Sequence, residues 1–404
     1  MAETSTGPVI IGGPGDNTYS IRVSPAAVID LGGNNQWLGA LAASHDDKHS
    51  NAVLIALGDG RNEFHAGDFG LATGTLGVGL LLSGKGNDFF HGRDGRDGCG
   101  GVGVGGIGLL IDRGGENRYL GGRFALGAAM GGIGAVVSSG SDEVLEARMH
   151  AIGFGGPGGA GVVIRHGGAA SYRAGHQDAS GYNDIRIRSG ESGFQTDAFS
   201  LGCGSGKRVF SPVAEETTLS LAGGVGMLLE KTGDSCYDGS NFALGCGYFF
   251  GLGLVSDQYG DDRHQAARYG MAAGAHYGVG LFLDHSGNDH YQSSGPTYNC
   301  GAAWDRTVAL FIDAGGNDHY DLTRSAGLGI SQHFSWATAA DMHGSDTYQL
   351  SSGLGASGAA SPALFIDAEP ANQFFGFPGN APFSPADGTQ AFRPPAGWFQ
   401  SVGK

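Results

Sequence analysis

Charged side chains are scarce in this chain. Asp, Glu, Lys and Arg together make up 15% of the 404 residues, and 39 acidic residues stand against 23 basic ones, a formal net charge of −16. Binding of nucleic acid needs a basic surface, so this composition excludes nucleic acid as the expected partner. The acidic balance favours cations or neutral ligands instead.

Long apolar runs, paired cysteines and cofactor motifs are also missing. A glycine or a charge interrupts every apolar stretch after a few residues, so we expect no membrane span. The five cysteines are scattered without a CxxC pair, which argues against a disulfide framework and a zinc site. No Rossmann fingerprint or P-loop stands in a strand-to-helix context, so we expect no organic cofactor. Residues 1–5 lack the basic and apolar regions of a signal peptide.

Glycine, by contrast, is in large excess, with 79 residues. Collagen is excluded because the chain has no three-residue period and only 13 prolines, and 40% hydrophobic residues argue against disorder. An internal repeat explains the excess: residues 281–291 (LFLDHSGNDHY) return as residues 310–320 (LFIDAGGNDHY). The unit is three apolar residues, an acid that we call position zero, glycine at +3, an Asn/Asp pair at +4 and +5, and an aromatic residue at +7.

This frame extends along most of the chain with substitutions. The position-zero residues are Asp30, Leu57, Ser83, Asp112, Ser138, Arg165, Glu230, Asp257, Asp284, Asp313, Asp341 and Asp367. Their +7 partners are Trp37, Phe64, Phe90, Tyr119, Tyr172, Tyr237, His264 as a variant, Tyr291, Tyr320, Tyr348 and Phe374, with none for Ser138. Residues at equal offset are expected to lie above one another, one coil apart.

A glycine-rich repeat without helical period predicts an all-β chain. We expect a single parallel β-helix, or β-solenoid, of about a dozen coils with a period of about 27 residues and the usual right-handed coiling. Glycines would make its corners and the +7 aromatics would stack inside. We assign residues 1–376 to this β-helix, with an inserted loop near 190–220, and interpret the gap between Arg165 and Glu230 as one degenerate coil plus that loop. The proline-rich tail, 377–404, is expected to cap the last coil.

The Gly-Asn-Asp-x-aromatic turns resemble the nonapeptide repeats of the RTX proteins, which are secreted parallel β-rolls with calcium bound between successive coils. The matching segments are residues 12–19, 84–92 and 315–320. The resemblance covers about nine residues of each coil. It implies Ca²⁺ ligation at residues such as Asp88, Asp289 and Asp318, and an extracellular or periplasmic location. The alternative is that these residues form Asn/Asp ladders that close the turns without a metal.

Position zero carries six consecutive carboxylates in the second half of the chain, from Glu230 to Asp367. Like charges about 4.8 Å apart repel, so bound cations, partial protonation or capping by backbone N–H groups must compensate them. Turn capping is the simpler interpretation. A metal stripe is the alternative, and its candidate ligands are Asp284, Asp289, Asp313, Asp318 and Asp341.

A second column lies eight residues before position zero. In three consecutive late coils it holds His276, Asp305 and His333, which places an acid beside an imidazole as in general acid–base catalysis. The flanking candidates are Tyr277, Trp304, Arg306 and Gln332. The alternative is a polar pair that satisfies itself in the core.

Two functions therefore remain open. The first is a polysaccharide-active lyase or hydrolase, with His276 and His333 as acid and base, oriented by Asp305. In this enzyme Arg306 would neutralise a carboxylate or oxyanion. The substrate would be a glycan or another extended neutral or acidic polymer, and it would contact Tyr277, Trp304 and Gln332. The second is a non-catalytic structural, adhesive or calcium-stabilised binding solenoid. Fold alone does not decide between them, and the oligomeric state stays open.

Overall fold

The computed structural model describes residues 2–4, 7–45, 49–92, 95–178, 180, 196–208, 219–295, 297–351, 354–358, 360–368, 372–375 and 397–401. Within these ranges the chain is all β, and no helix has the length and hydropathy of a membrane span. The predicted parallel β-solenoid with coils of about 27 residues is confirmed. Successive coils contribute strands to two long sheets, and five of the later coils add a strand to a third, shorter sheet.

The first sheet holds the apolar triplets and the position-zero residues. It is parallel throughout, except that its first strand is antiparallel to the second. Its strands are Ala2–Thr4, Gly7–Ile11, Ala27–Asp30, Asn51–Ala56, Val78–Ser83, Ile107–Asp112, Ile133–Ser138, Ala160–Arg165, Val225–Glu230, Leu252–Asp257, Val279–Asp284, Val308–Asp313, Trp336–Asp341, Ala363–Asp367 and Gly397–Ser401.

The second sheet holds the +7 aromatic residues. Two of its strands are long and continue around the next corner. Its strands are Thr18–Ile21, Asn35–Ser44, Asn62–Thr75, Phe89–Gly92, Arg118–Leu120, Glu143–Ala147, Ala170–Ala174, Cys236–Gly239, Arg263–Ala266, His290–Ser293, His319–Leu322, Thr347–Leu350 and Gln373–Phe375, joined by Val102–Val104 and Ala129–Met130 on the continued part.

The third sheet precedes the corner that leads back to the first sheet. Its strands are Gly204–Ser205, Gly247–Tyr248, Gly274–Ala275, Ala302–Trp304 and Ile330–Gln332. Two small sheets lie between the second and third sheets, and they pair Asp197–Ser200 with Asn241–Ala243 and Thr297–Tyr298 with Ser325–Ala326.

In each first-sheet strand, every second side chain points into the core. In Val279–Asp284 the residues Gly280, Phe282 and Asp284 point inward and are buried, whereas the residues between them are half-exposed. The +7 residues meet this face as a continuous ladder. From Tyr172 to Phe374 their ring centroids lie 4.6 to 5.1 Å apart, close to the spacing of parallel strands. Leu145 fills the coil for which no aromatic was expected.

Glycine allows the coils to stack tightly. A Cβ atom on Gly287 would lie only 1.7 Å from the carbonyl oxygen of Gly260 in the preceding coil. No side chain fits there without moving the backbone, so the glycine at this turn reflects a close approach between coils.

Two details of the predicted repeat are wrong. The strand Ala160–Arg165 pairs directly with Val225–Glu230, so no degenerate coil separates them. The chain between them adds the strands Asp197–Ser200 and Gly204–Ser205 to the neighbouring sheets, and much of the predicted loop near 190–220 falls outside the described residues. In addition, Ala56 and not Leu57 pairs with Asp30 and Ser83, because the turn of that coil is one residue longer.

The tail from residue 377 falls mostly outside the described residues. Its strand Gly397–Ser401 pairs in parallel with Ala363–Asp367, at the edge of the first sheet.

Candidate functional site

The His276, Asp305 and His333 column lies at the corner between the third and first sheets. This corner is one residue longer in the late coils than in the early ones. Three residues separate Ala275 from Val279, whereas two residues separate Val104 from Ile107. The extra residue is accommodated by two successive residues with left-handed backbone. Their φ values are 53° and 64° at His276 and Tyr277, and 63° and 58° at Asp305 and Arg306.

Backbone hydrogen bonds hold successive corners in register. The N–H of His276 donates to the carbonyl of Trp304 at 3.0 Å, and the N–H of Asp305 donates to that of Gln332 at 3.2 Å. His276, Asp305 and His333 therefore occupy the same position of three successive coils, as their equal offsets predict.

His276 and Asp305 are joined by a hydrogen bond. Nδ1 of His276 lies 2.8 Å from Oδ2 of Asp305, and Nε2 contacts the guanidinium of Arg208. A guanidinium only donates hydrogen bonds, so Nε2 accepts and Nδ1 carries the proton. Burial lowers the pKa of His276, the bond to Asp305 opposes this, and the charge of Arg208 adds to it. The ring is thus held in its neutral form.

His333 is not part of this pair. Its ring is exposed and packs against Trp304, with 4.4 Å between the centroids. Among the described residues no hydrogen bond joins His333 to Asp305. The structure brings two of the three column residues together, so the column is not a continuous His-Asp-His relay.

The residues that follow the column form an exposed row, which we call the corner strip: Phe250, Tyr277, Arg306 and Phe334. The rings of Phe250 and Tyr277 stack with their centroids 4.7 Å apart and an interplanar angle of 2°. The Arg306 guanidinium lies 5.6 Å from the ring centroids of both Tyr277 and Phe334 and donates to the Tyr277 hydroxyl at 2.9 Å. The strip is therefore a continuous aromatic and cationic surface along four coils.

The sequence pattern predicts only half of this strip. Tyr277 and Arg306 were selected as neighbours of the column, but Phe250 and Phe334 were missed. The signal was present, because all four residues lie seven positions before the acids of their coils, Asp257, Asp284, Asp313 and Asp341.

A shallow concavity of about 530 Å³ adjoins the end of the strip. It is lined by Arg306, Phe334, Trp336 and Pro362 among others. The side chains of Phe334 and Trp336 are 66% and 57% exposed. Trp304 and Gln332, predicted to contact substrate, are half-buried on the third sheet, where Gln332 hydrogen-bonds Tyr298.

A larger concavity of about 960 Å³ lies near the first coils. Its lining includes Arg22, His45, His65, Asp68 and Arg96. The repeat does not predict this concavity, because its lining residues do not share one offset of the repeat.

A separate cluster of acids lies inside the rod. The position-zero and +5 residues of four successive coils are at most 3% exposed, and they include all five candidate ligands of the predicted metal stripe but not Asp88. These residues are Asp257, Asp262, Asp284, Asp289, Asp313, Asp318, Asp341 and Asp346.

The +5 acids close the turns as a ladder. Oδ1 of Asp289, Asp318 and Asp346 each accepts the backbone N–H of the +5 residue in the preceding coil, at 2.7, 2.7 and 2.9 Å. Tyrosine hydroxyls link the position-zero acids, and that of Tyr291 donates to Asp313 at 2.7 Å. Burial, followed by the charge of the adjacent position-zero acid, raises the pKa of Asp289 to about 10 and that of Asp318 to about 9.

A scan against protein-family models and searches of curated proteins and of solved structures find no match to this chain. The fold and the corner strip define a parallel β-solenoid with an exposed aromatic and cationic row on one corner.

Proposed function

We propose that the corner strip binds an extended polysaccharide bearing carboxylate groups, laid along the axis of the rod. The observation that supports this is the exposure of Phe250, Tyr277, Arg306 and Phe334. Their exposed fractions are 50%, 41%, 54% and 66%.

Left-handed backbone makes this exposure unusual. Such a conformation costs a non-glycine residue about 1–3 kcal/mol and persists where the surroundings compensate it or function requires it. At the corner between the second and third sheets the left-handed residues Phe199 and Phe242 are at most 8% exposed, so packing compensates the strain. The corner strip gains far less from burial. The earlier corners at Gly105 and Gly131 use glycine for the same backbone conformation, and Leu76 is the exposed exception among the early coils.

The chemistry of the strip suits a glycan. Aromatic faces pack against the apolar faces of sugar rings, and one strip residue per coil gives a regular series of contacts along the axis. Arg306 lies between two rings, where its planar guanidinium can pair with a carboxylate through two parallel hydrogen bonds. The concavity beside Trp336 extends the surface.

Binding of a polyuronate tests the proposal, with an uncharged polysaccharide as the comparison. Tyr277→Ala and Phe334→Ala are expected to weaken binding of both polymers about tenfold or more, a loss of about 1.4 kcal/mol. Arg306→Gln is expected to remove the preference for the acidic polymer. Tyr259→Ala is the matched control, because Tyr259 is 61% exposed in a turn away from the strip. Unchanged affinity in all three strip variants contradicts the proposal.

Acid–base cleavage of the same polymer is the second candidate. The 2.8 Å contact between His276 and Asp305 favours it, since a carboxylate that fixes an imidazole tautomer is typical of catalytic pairs. In this role His333 would exchange protons with the substrate from its exposed position, and Arg306 would neutralise a carboxylate.

Release of new reducing ends from the polymer distinguishes cleavage from binding alone. If the protein is an enzyme, Asp305→Asn and His333→Ala are expected to lower the rate while polymer binding is retained. If the wild-type protein binds the polymer without releasing ends, the second candidate is excluded and the first stands.

A further inference from the structure

An inner pair of polar side chains recurs along the rod. The position-zero residue of a coil faces the +5 residue, and a donor normally lies between them. Nδ2 of Asn35 donates to Oδ1 of Asp30 at 2.9 Å, and the Ser235 hydroxyl donates to Glu230 at 3.0 Å. The Ser83 hydroxyl donates to Asp88 in the same way.

Four consecutive coils break this pattern. Their inner pairs consist of two acids each: Asp257 with Asp262, Asp284 with Asp289, Asp313 with Asp318, and Asp341 with Asp346. The coils on either side return to one acid with a donor, as Glu230 with Ser235 and Asp367 with Asn372 show.

An aspartate at +5 makes only one of the two contacts that an asparagine makes. Oδ1 of Asp289 accepts the N–H of Asp262, just as Oδ1 of Asn35 accepts that of Asn17 at 2.9 Å. The second atom differs: where Asn35 directs an NH₂ group at its position-zero acid, Asp289 presents another oxygen. Two oxygens without a donor therefore face the same interior space.

The orphaned oxygens are numerous and deeply buried. Among the described residues no N–H, amide or hydroxyl group donates to them, and their side chains are at most 3% exposed. They are Oδ1 of Asp257, Asp284 and Asp341 and Oδ2 of Asp262, Asp289, Asp318 and Asp346. Each such oxygen needs a proton or a cation, since a buried carboxylate without a partner costs several kcal/mol.

We propose that these acid pairs bind calcium ions in the interior of the rod, between successive coils. Two all-oxygen groups are close enough to share an ion, Asp289 with Asp313 and Asp318, and Asp318 with Asp341 and Asp346. In each group the oxygens lie within 4.8 Å of one another. Oxygens on opposite sides of a calcium ion are separated by about 4.8 Å, twice the Ca–O distance of about 2.4 Å.

Charge and ligand type agree with this assignment. When the ions displace the protons that Asp289 and Asp318 hold at neutral pH, the five carboxylates of the two groups carry five negative charges against the four positive charges of two divalent ions. Carboxylate oxygens suit hard cations, and calcium tolerates the irregular coordination that strand spacing imposes. Tyrosine hydroxyls border the space, with that of Tyr320 located 2.9 Å from Oδ2 of Asp341.

Terbium, a luminescent substitute for calcium, tests the proposal directly. The full chain is unfolded in denaturant with a chelator, refolded with terbium or calcium, and freed of excess metal. Excitation of the tyrosine ladder is expected to sensitise terbium emission through Tyr320, and calcium is expected to compete. Elemental analysis of the calcium-refolded protein is expected to show retained calcium, and the melting temperature is expected to rise with calcium concentration.

Asp318→Asn locates the ions, because Asp318 belongs to both groups and asparagine restores the donor found at Asn35. This variant is expected to fold, to lose most of the terbium emission and to melt at a temperature independent of calcium. Asp88→Asn is the matched control: its partner Ser83 already supplies a hydroxyl, so its calcium response is expected to equal that of the wild type.

Two results overturn the proposal. One is a wild-type protein without terbium emission whose melting temperature ignores calcium and chelator, which would mean that shared protons hold the pairs. The other is a calcium response that persists in full in Asp318→Asn, which would place the ions elsewhere.

Discussion

His276 stands between an anion and a cation, with its Nδ1 2.8 Å from Oδ2 of Asp305 and its Nε2 against the guanidinium of Arg208. The two neighbours act oppositely on the imidazole. Asp305 favours the protonated ring, whereas burial and Arg208 disfavour it, and the net effect is a lowered pKa. The charge state of this site therefore depends on a residue far away in the sequence.

Replacement of Arg208 is expected to raise the pKa of His276. Arg208→Gln removes the nearby positive charge while a polar side chain remains, so the ring protonates at higher pH. Titration of the His276 resonances by NMR measures the change. Arg324→Gln, which alters an exposed arginine bonded to the carbonyl of Ser294, serves as the control. An unchanged His276 titration in Arg208→Gln would show that burial alone lowers its pKa.

Glycine in the corner strip is expected to stabilise the protein and weaken its binding. Phe334 has a φ of 62° and is 66% exposed, so its replacement by glycine relieves strain with little loss of packing. We expect Phe334→Gly to increase the free energy of unfolding by about 1 kcal/mol. Trp336→Gly, in the adjacent first-sheet strand, is expected to be destabilising instead. Denaturant unfolding of both variants checks this, and a destabilised Phe334→Gly contradicts it.

Arg165 is expected to be the most critical charged residue of the core. Its side chain is fully buried, and its nitrogens lie 2.6 Å from Glu143 on one side and 2.6 Å from Glu230 on the other. Arg165→Met leaves both carboxylates without their cation and is expected to cost about 3–5 kcal/mol of unfolding free energy. Arg173→Met, which breaks an exposed pair with Asp238, is expected to cost less than about 1 kcal/mol. Equal losses in the two variants would contradict this view of Arg165.

Asp112 is expected to make stability depend on pH. Burial, together with the charges of Asp88 and Glu143, raises the pKa of Asp112 to about 8. The folded protein therefore keeps a proton that the unfolded chain releases near pH 4. The resulting stability is present below that pH and is lost as the pH rises towards 8.

Asp112→Asn should remove this contribution, because its amide can still accept from Gly114 and donate to Tyr119. Melting temperatures between pH 4 and 8 are expected to fall less steeply in the variant than in the wild type. Asp59→Asn, in an exposed turn, should leave the profile unchanged. Parallel profiles for Asp112→Asn and the wild type would show that the carboxyl is already ionised in the folded state.

The interior of the rod could be predicted well from the sequence. The unit from position zero to +7 has a fixed length and alternates in and out, so the tyrosine ladder from Tyr172 to Tyr348 and the buried acids follow from register alone. The corners could not be predicted as well. Glycine and bulky residues adopt the same left-handed backbone there, as Gly105 and Phe250 show, so composition does not reveal the path of the chain.

The prediction for the longest spacing between position-zero residues is wrong for a related reason. The gap from Arg165 to Glu230 suggested an additional coil because only sequence distance was known. Strand pairing depends on complementary faces, and Val163 opposite Leu228 continues the core without a break.

The register of the three sheets shows where a coil can change its length. From the third sheet to position zero the interval is ten residues in successive coils (274 to 284, 303 to 313, 331 to 341), and from position zero to the aromatic it is seven. Among these three coils only the interval from the second to the third sheet varies, with ten residues from 264 to 274, twelve from 291 to 303 and eleven from 320 to 331. In these late coils the connection from the second to the third sheet therefore tolerates insertions. Foreign segments grafted there should leave the strands of the first sheet undisturbed.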